Sequence, residues 1–204
     1  MANYGGSSGC QLGEASYFDF LFAMANPVNN PAVVAASDIT VVPSLDNRGN
    51  PVLSFTGFTG FNLFEGQSVS YDIFYTTDPA PIVAGEGGVL DPVTGNVSAT
   101  VSYCLGTLFS QASGLCADRS DPVVLTVDAA HLSSTAHFGT AFALVDVRTR
   151  TTLTGVGSTN GTASGFDALI LTTETAPEPG TALVALSGLA ALVGARRLRR
   201  RIAG

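Results

Sequence analysis

Few residues in this 204-residue chain stand in patterns that do chemistry. Gly5-Gly6-Ser7-Ser8-Gly9 satisfies the G-x-S-x-G spacing of a serine nucleophile, with His131 or His137 as a conceivable base. Such an elbow needs a buried strand before the serine and a helix after it. Here the serine lies in a Gly/Ser-rich terminus with neither, so the match is read as accidental. No carboxylate stands near His131 or His137 at metalloprotease spacing, and both are read as polar surface groups. Gly155-Val156-Gly157 lacks the third glycine of a dinucleotide fingerprint. Asp118, Ser120 and Asp121 offer oxygens to a calcium ion, but the same residues ahead of Pro122 make a turn, which is the reading adopted. The acids are scattered, and no pair is singled out for glycoside hydrolysis. The sequence therefore predicts no catalytic residue, no cofactor and no metal site, and the chain is read as a non-enzyme.

The three cysteines include no C-x-x-C, so zinc and redox motifs have no support. A bridge between Cys104, at the end of a predicted strand, and Cys116, beyond a Gly/Ser-containing loop, would close about a dozen residues. Through the unfolded chain it would contribute about 3 kcal/mol. Cys10 is then odd, in the Gly/Ser-rich terminus. For binding, Tyr71 and Tyr75 are candidate stacking platforms for sugar rings. The chain holds no tryptophan, which counts against that use.

The elements that would position these residues have period two. Val69, Tyr71, Ile73 and Tyr75 alternate with Ser68, Ser70 and Asp72, and Val97, Ala99, Val101, Tyr103 and Leu105 alternate with Asn96, Ser98, Thr100 and Ser102. Both read as half-buried strands. Further strands are expected over Tyr17 to Ala25, Ile39 to Val42, Pro51 to Phe58, Val123 to Asp128, Phe138 to Arg148 and Phe166 to Thr173. Phe138 to Val147 is apolar on both faces and reads as a central strand. The Thr/Ser/Gly/Asn-rich stretch from Thr149 to Gly165 reads as a loop or edge hairpin. Turns are expected at 46–51, 64–66, 78–81, Gly85-Glu86-Gly87-Gly88 and Asp91-Pro92. About eight strands with short Gly/Pro connections predict an all-β body, an antiparallel β-sandwich or jelly roll, over residues 1–174.

Charge narrows the partners. Before Pro177 there are four arginines (Arg48, Arg119, Arg148, Arg150), no lysine and fifteen acids, a body charge of −11. Such a surface excludes nucleic acid, whose phosphates need a basic footprint.

The carboxyl end differs from the rest. Pro177 and Pro179 lack an N–H and push the preceding residue toward extended geometry, so no helix begins before Pro179 is passed. Residues 181–195 are Ala, Leu, Val, Gly, Ser and Thr with no charge, followed by Arg196, Arg197, Arg199, Arg200 and Arg201. A helix over 180–195 would rise roughly 24 Å against a hydrocarbon core of ~30 Å, a marginal span whose gap local thinning and the snorkelling of Arg196 and Arg197 would narrow. It is read as a transmembrane helix joined to the body by a linker, 175–179, with 196–204 as a cytoplasmic tail; the positive-inside rule puts the body across the membrane.

Pro177-Glu178-Pro179, an apolar helix and a terminal Arg cluster together resemble the PEP-CTERM sorting signal of Gram-negative bacteria that make exopolysaccharide. The resemblance covers about the last thirty residues. It implies export, transient single-pass anchoring in the inner membrane with the body in the periplasm, and processing by an exosortase near the motif Pro177, Glu178 and Pro179. The body would then reach the cell surface or extracellular matrix, with exopolysaccharide as a partner. Such proteins carry an amino-terminal signal peptide, yet residues 1–30 contain no basic residue for its n-region. The signal is therefore expected upstream of Met1. The function expected is that of a non-catalytic envelope or matrix protein, and the alternative is a carbohydrate-binding β-sandwich module, ahead of an exported hydrolase.

Overall fold

The computed structural model of the chain describes residues 9–13, 15–29, 35–78, 82–110, 114–155 and 162–175. Eleven strands are found there: β1 (Cys10–Leu12), β2 (Ala15–Val28), β3 (Thr40–Leu45), β4 (Pro51–Leu63), β5 (Ser68–Asp78), β6 (Ile82–Thr94), β7 (Asn96–Leu105), β8 (Val123–Asp128), β9 (Ser133–Ala136), β10 (Val145–Thr154) and β11 (Thr162–Thr175). A single 3₁₀ turn, Ala36–Asp38, precedes β3. Two antiparallel sheets result, one ordered β1-β2-β5-β10-β7-β8 and the other β3-β4-β11-β6-β9. Most successive strands switch sheets. Among the described strands only β1–β2, β3–β4 and β7–β8 are neighbours both in sequence and in the sheet. Among the described residues no helix is long and apolar enough to cross a membrane. The expected helix over 180–195, with the sorting motif and the Arg cluster, lies outside the described residues.

The two sheets close on one core. Tyr71, Ile73 and Tyr75 of β5 and Val97, Val101 and Tyr103 of β7 meet Leu53, Phe55 and Phe58 of β4 and Leu169 and Leu171 of β11. Ring centroids of Phe55 and Tyr75 lie 5.9 Å apart, as do those of Phe58 and Tyr71. Rings this large, removed from water, each contribute roughly 2–3 kcal/mol of burial free energy, which makes the aromatic layer a principal source of cohesion.

Three local expectations are corrected. Phe138 to Leu144 is not a strand: Gly139 turns with φ +78°, and Phe142 makes a lone bridge to Ile82. The apolar segment instead closes one end of the sandwich, with Phe138 packed on Tyr103 at 5.3 Å. The threonine-rich segment after it begins as a strand. β10 runs to Thr154 between β5 and β7, and Thr149 and Thr151 are buried, because a β-branched side chain suits a central strand even when it carries a hydroxyl. The glycines of 85–88 and Asp91-Pro92 lie inside β6 rather than in turns. A side chain at Gly88 would stand 3.0 Å from Leu125, so the lack of one lets the sheets approach. Pro92 sits beyond Val89, where the pairing with β9 ends and β6 is edged on one side only.

Gly57 in β4 has φ +105°, and a Cβ there would collide with the backbone carbonyl of Asp38. Gly57→Ala is expected to destabilise the fold by about 2 kcal/mol, read as a lower urea midpoint with unchanged slope.

Candidate functional site

Strand pleating gives β5 and β10 two unlike faces. Inward go Val69, Tyr71, Ile73 and Tyr75 from β5, with Val145, Val147 and Leu153 from β10. Tyr71 and Tyr75 are 0% and 1% exposed, so the expectation that they serve as sugar platforms is wrong. They belong to the apolar set of their strand and follow it into the core. Outward, on the other face of the same sheet, go Asp72, Phe74 and Thr76 from β5 and Asp146, Arg148 and Arg150 from β10.

Register brings these outward residues together. Asp72 stands opposite Arg150, Phe74 opposite Arg148 and Thr76 opposite Asp146. Arg150 donates to Asp72 from both Nε (2.8 Å, to Oδ1) and Nη2 (2.7 Å, to Oδ2), a two-point fork, and Arg148 Nη2 donates to Oδ2 at 3.1 Å. The Arg148 guanidinium also lies over the Phe74 ring, 5.6 Å from its centroid. Burial raises the Asp72 pKa, but the hydrogen bonds and charges of Arg150 and Arg148 outweigh it and hold the carboxyl below the usual aspartate range.

A second carboxyl anchors a loop onto this face. Asp146 accepts from Thr76 Oγ1 (3.0 Å) and from the backbone N–H of Phe109 (2.7 Å). Burial pushes its pKa up; the bonds from Phe109 and Thr76 oppose that, while the charge of Asp19 adds to it. Phe109 belongs to the segment between β7 and β8, which a disulfide between Cys104 and Cys116 ties to the end of β7. Phe109, Cys104 and Cys116 form a small apolar cluster of their own, and the Phe109 ring meets Phe74 edge-on at 6.4 Å. Gly114 in the same loop has φ +71°, and a Cβ there would press on Arg148 Nη1 at 2.9 Å.

Between β2 and this loop runs a groove. One part, of about 250 Å³, is lined by Leu21, Ala23, Asp72, Phe74, Gly114, Arg148 and Arg150. The other, of about 160 Å³, is lined by Asp19, Leu21, Phe74, Thr76, Leu108, Phe109 and Asp146. Leu21 and Phe74 belong to both, so the two are continuous along β5. Asp19, at φ +55° in an irregularity of β2 between Phe18 and Leu21, lies at the acidic end. The apolar lining is open to water: Leu21 is 41% exposed and Leu108 50%.

Other sequence candidates lie elsewhere. Asp118 accepts from the Ser120 N–H (2.9 Å) and hydroxyl (2.7 Å), the closure of a turn. His131 is an exposed neighbour of Asp128, and Cys10 is a free, half-buried thiol in β1. Among the described residues no group of three metal-ligating side chains is found. Ser7, Pro177, Glu178, Pro179, Arg196, Arg197, Arg199, Arg200 and Arg201 lie outside the described residues. The groove residues were missed from sequence. Arg148-Thr149-Arg150 in a strand would have placed two arginines on one face, but Asp72, 78 positions before Arg150, could not be seen beside them.

Fold and groove define an antiparallel β-sandwich with a concave, amphipathic site on one outer sheet face. Comparison of the sequence with protein families finds no match, and comparison with curated proteins finds none either. Among solved structures, the chain is similar to TmCBM61 in complex with β-1,4-galactotriose (11% identity, 85% of this chain and 97% of that one, TM-score 0.34). It is also similar to the mannan-recognising carbohydrate-binding module TmCBM27 (8%, 76% and 99%, TM-score 0.23). A third likeness is to the enzymatically active domain of bacteriophage CBA120 tailspike protein 4 (11%, 74% of this chain, TM-score 0.32), of which it spans 19%. Likenesses this distant leave function to be decided by the groove itself.

The two groove carboxyls respond to pH in opposite senses. Asp72, lowered in the fold, stabilises above the ordinary aspartate pKa of about 3.9, and this is lost as pH falls through its lower folded value. Asp146, raised in the fold, favours the folded state most below that ordinary value, and its contribution is lost as pH rises through the raised one. In urea unfolding followed from about pH 3 to about pH 8, Asp146→Asn is expected to remove the decline on the upper side. Asp72→Asn is expected to cost about 2 kcal/mol above about pH 5, less than the loss of a fully buried pair because Arg150 is 41% exposed, and to flatten the acid limb.

Proposed function

We propose that the protein is a non-catalytic carbohydrate-binding β-sandwich, carried to the outside of the cell by its carboxyl-terminal tail. The observation that carries the binding reading is the groove. A pyranose has C–H faces and hydroxyl edges, and the groove has matching walls: Leu21, Phe74 and Leu108 for the faces, and Arg150 and Asp19 for the hydroxyls. Its length along β5 suits a chain of sugars better than one ring. A binding rather than hydrolytic role is supported by the state of Asp72. Glycoside hydrolysis needs one acid free to give a proton and another free to act as base or nucleophile. Asp72 is held by two arginines that engage both its oxygens and keep it ionised, so it has no proton to give. The disulfide that secures the groove wall suits an oxidising compartment.

The direct test is retention of the full chain, purified in a polyoxyethylene detergent that carries no sugar, on an array of neutral and acidic polysaccharides. Saturable retention is expected, weakened about tenfold or more by Phe74→Ala. Absence of retention on every glycan would leave a purely structural matrix protein.

Delivery rests on the tail. Pro177-Glu178-Pro179, the uncharged run and the Arg cluster follow directly on β11. We infer an inner-membrane stage with the body in the periplasm, then exosortase processing and release to the surface or matrix. A reporter fused after Gly204 is expected to remain cytoplasmic, and intact mass is expected to show loss of the tail only in cells with an exosortase. Retention of the tail in both strains would overturn the sorting reading.

A further inference from the structure

The groove holds two of the four arginines that precede Pro177, in a body that is otherwise acidic and has no lysine. They are two positions apart on β10 and share a single carboxylate, so this end of the groove keeps one net positive charge. A guanidinium has five N–H donors. Arg148 uses one of them on Asp72 and Arg150 uses two. Among the described residues Arg148 Nε is buried with no hydrogen-bond partner, and the Arg150 side chain is 41% open to water. A neutral hydroxyl needs far less than this, because one donor satisfies it. An anionic oxygen pair is what a spare guanidinium edge fits, by two parallel charge-assisted hydrogen bonds.

The surroundings hold that edge in place. Asp72 fixes the Arg150 fork from below, Phe74 supports the Arg148 guanidinium from the side, and glycine at 114 leaves room beside Arg148 Nη1. Asp19 and Asp146 lie at the far end of the groove and repel an anion there. A bound chain is thereby set in one direction, its charged residue over the arginines and a neutral residue over Leu108 and Phe109.

Resting on the carbohydrate-binding reading above, we propose that the ligand is an acidic glycan, whose sugar carboxylate is received by Arg150 and Arg148. The probes are polygalacturonate oligomers, the same oligomers fully methyl-esterified, and a neutral β-1,4-galactan, each titrated calorimetrically into the full chain in polyoxyethylene detergent. The acid is expected to bind at least about tenfold more tightly than its ester, and Arg150→Gln is expected to abolish that preference. The comparison of acid with ester uses the unaltered protein, so it does not depend on how well a variant folds. Equal affinity for acid and ester, or binding of the galactan alone, would overturn the acidic-ligand proposal and leave the carbohydrate-binding reading standing. A preference for the acid that survived both Arg150→Gln and Arg148→Gln would overturn the assignment to these arginines. Binding of none of the three, together with a blank array, would overturn both.

Discussion

Ten consecutive residue pairs join β5 to β10, from Thr77 opposite Val145 to Ser68 opposite Thr154, and the rest of the molecule depends on that register. Side chains along a strand alternate between faces, so the same ten pairs build a dry aromatic layer on one side and a charged groove on the other. A slip of β5 by one residue would carry Tyr71 and Tyr75 into water and drive Asp72 into the core, and the same slip of β10 would bury Arg148 and Arg150, at a cost of several kcal/mol for each unpaired charge. Core and groove therefore specify the register jointly. The core rewards it by burying rings, and the groove by setting Asp72 against Arg150 and Thr76 against Asp146.

The outer face is made concave by what is laid upon it. A strand pair alone would present a flat ladder of side chains. Here the segment after β7 folds back over the sheet, held by the Cys104–Cys116 bond, by the Phe109 N–H on Asp146 and by Phe109 against Phe74. On the opposite side β2 departs from regular pairing at Asp19 and sends Leu21 up as the other wall. The loop is a poor hydrophobic unit by itself, with Leu108 and Leu115 exposed. A covalent tie and a buried carboxyl compensate for the contacts it lacks.

The electrostatics of the face follow from the same arrangement. Asp72 and Asp146 are both in the fully paired middle of their sheet, yet their proton affinities move in opposite directions. Asp72 has two guanidinium groups as neighbours, whereas Asp146 has the backbone N–H groups of Phe109 and Val147, the Thr76 hydroxyl and the negative field of Asp19. Burial acts alike on both, so the partners decide. The division gives the groove a cationic end and an anionic end on a body whose overall charge is strongly negative.

Period-two alternation in the amino-acid sequence was enough to determine the all-β class and the strands at Val69–Tyr75 and Val97–Leu105, because alternation is a local consequence of pleating. Local signals misled where a residue had two uses. Gly88 read as part of a turn but allows close sheet packing, and threonines from Thr149 read as loop or edge but fill a central strand. Only the tertiary structure decided that Tyr71 and Tyr75 are core, that Asp72 is the partner of arginines far along the chain, and that Phe109 roofs the groove. Those facts depend on which strands become neighbours. Neighbours are chosen by burial summed over both sheets, a quantity that no single stretch of sequence contains.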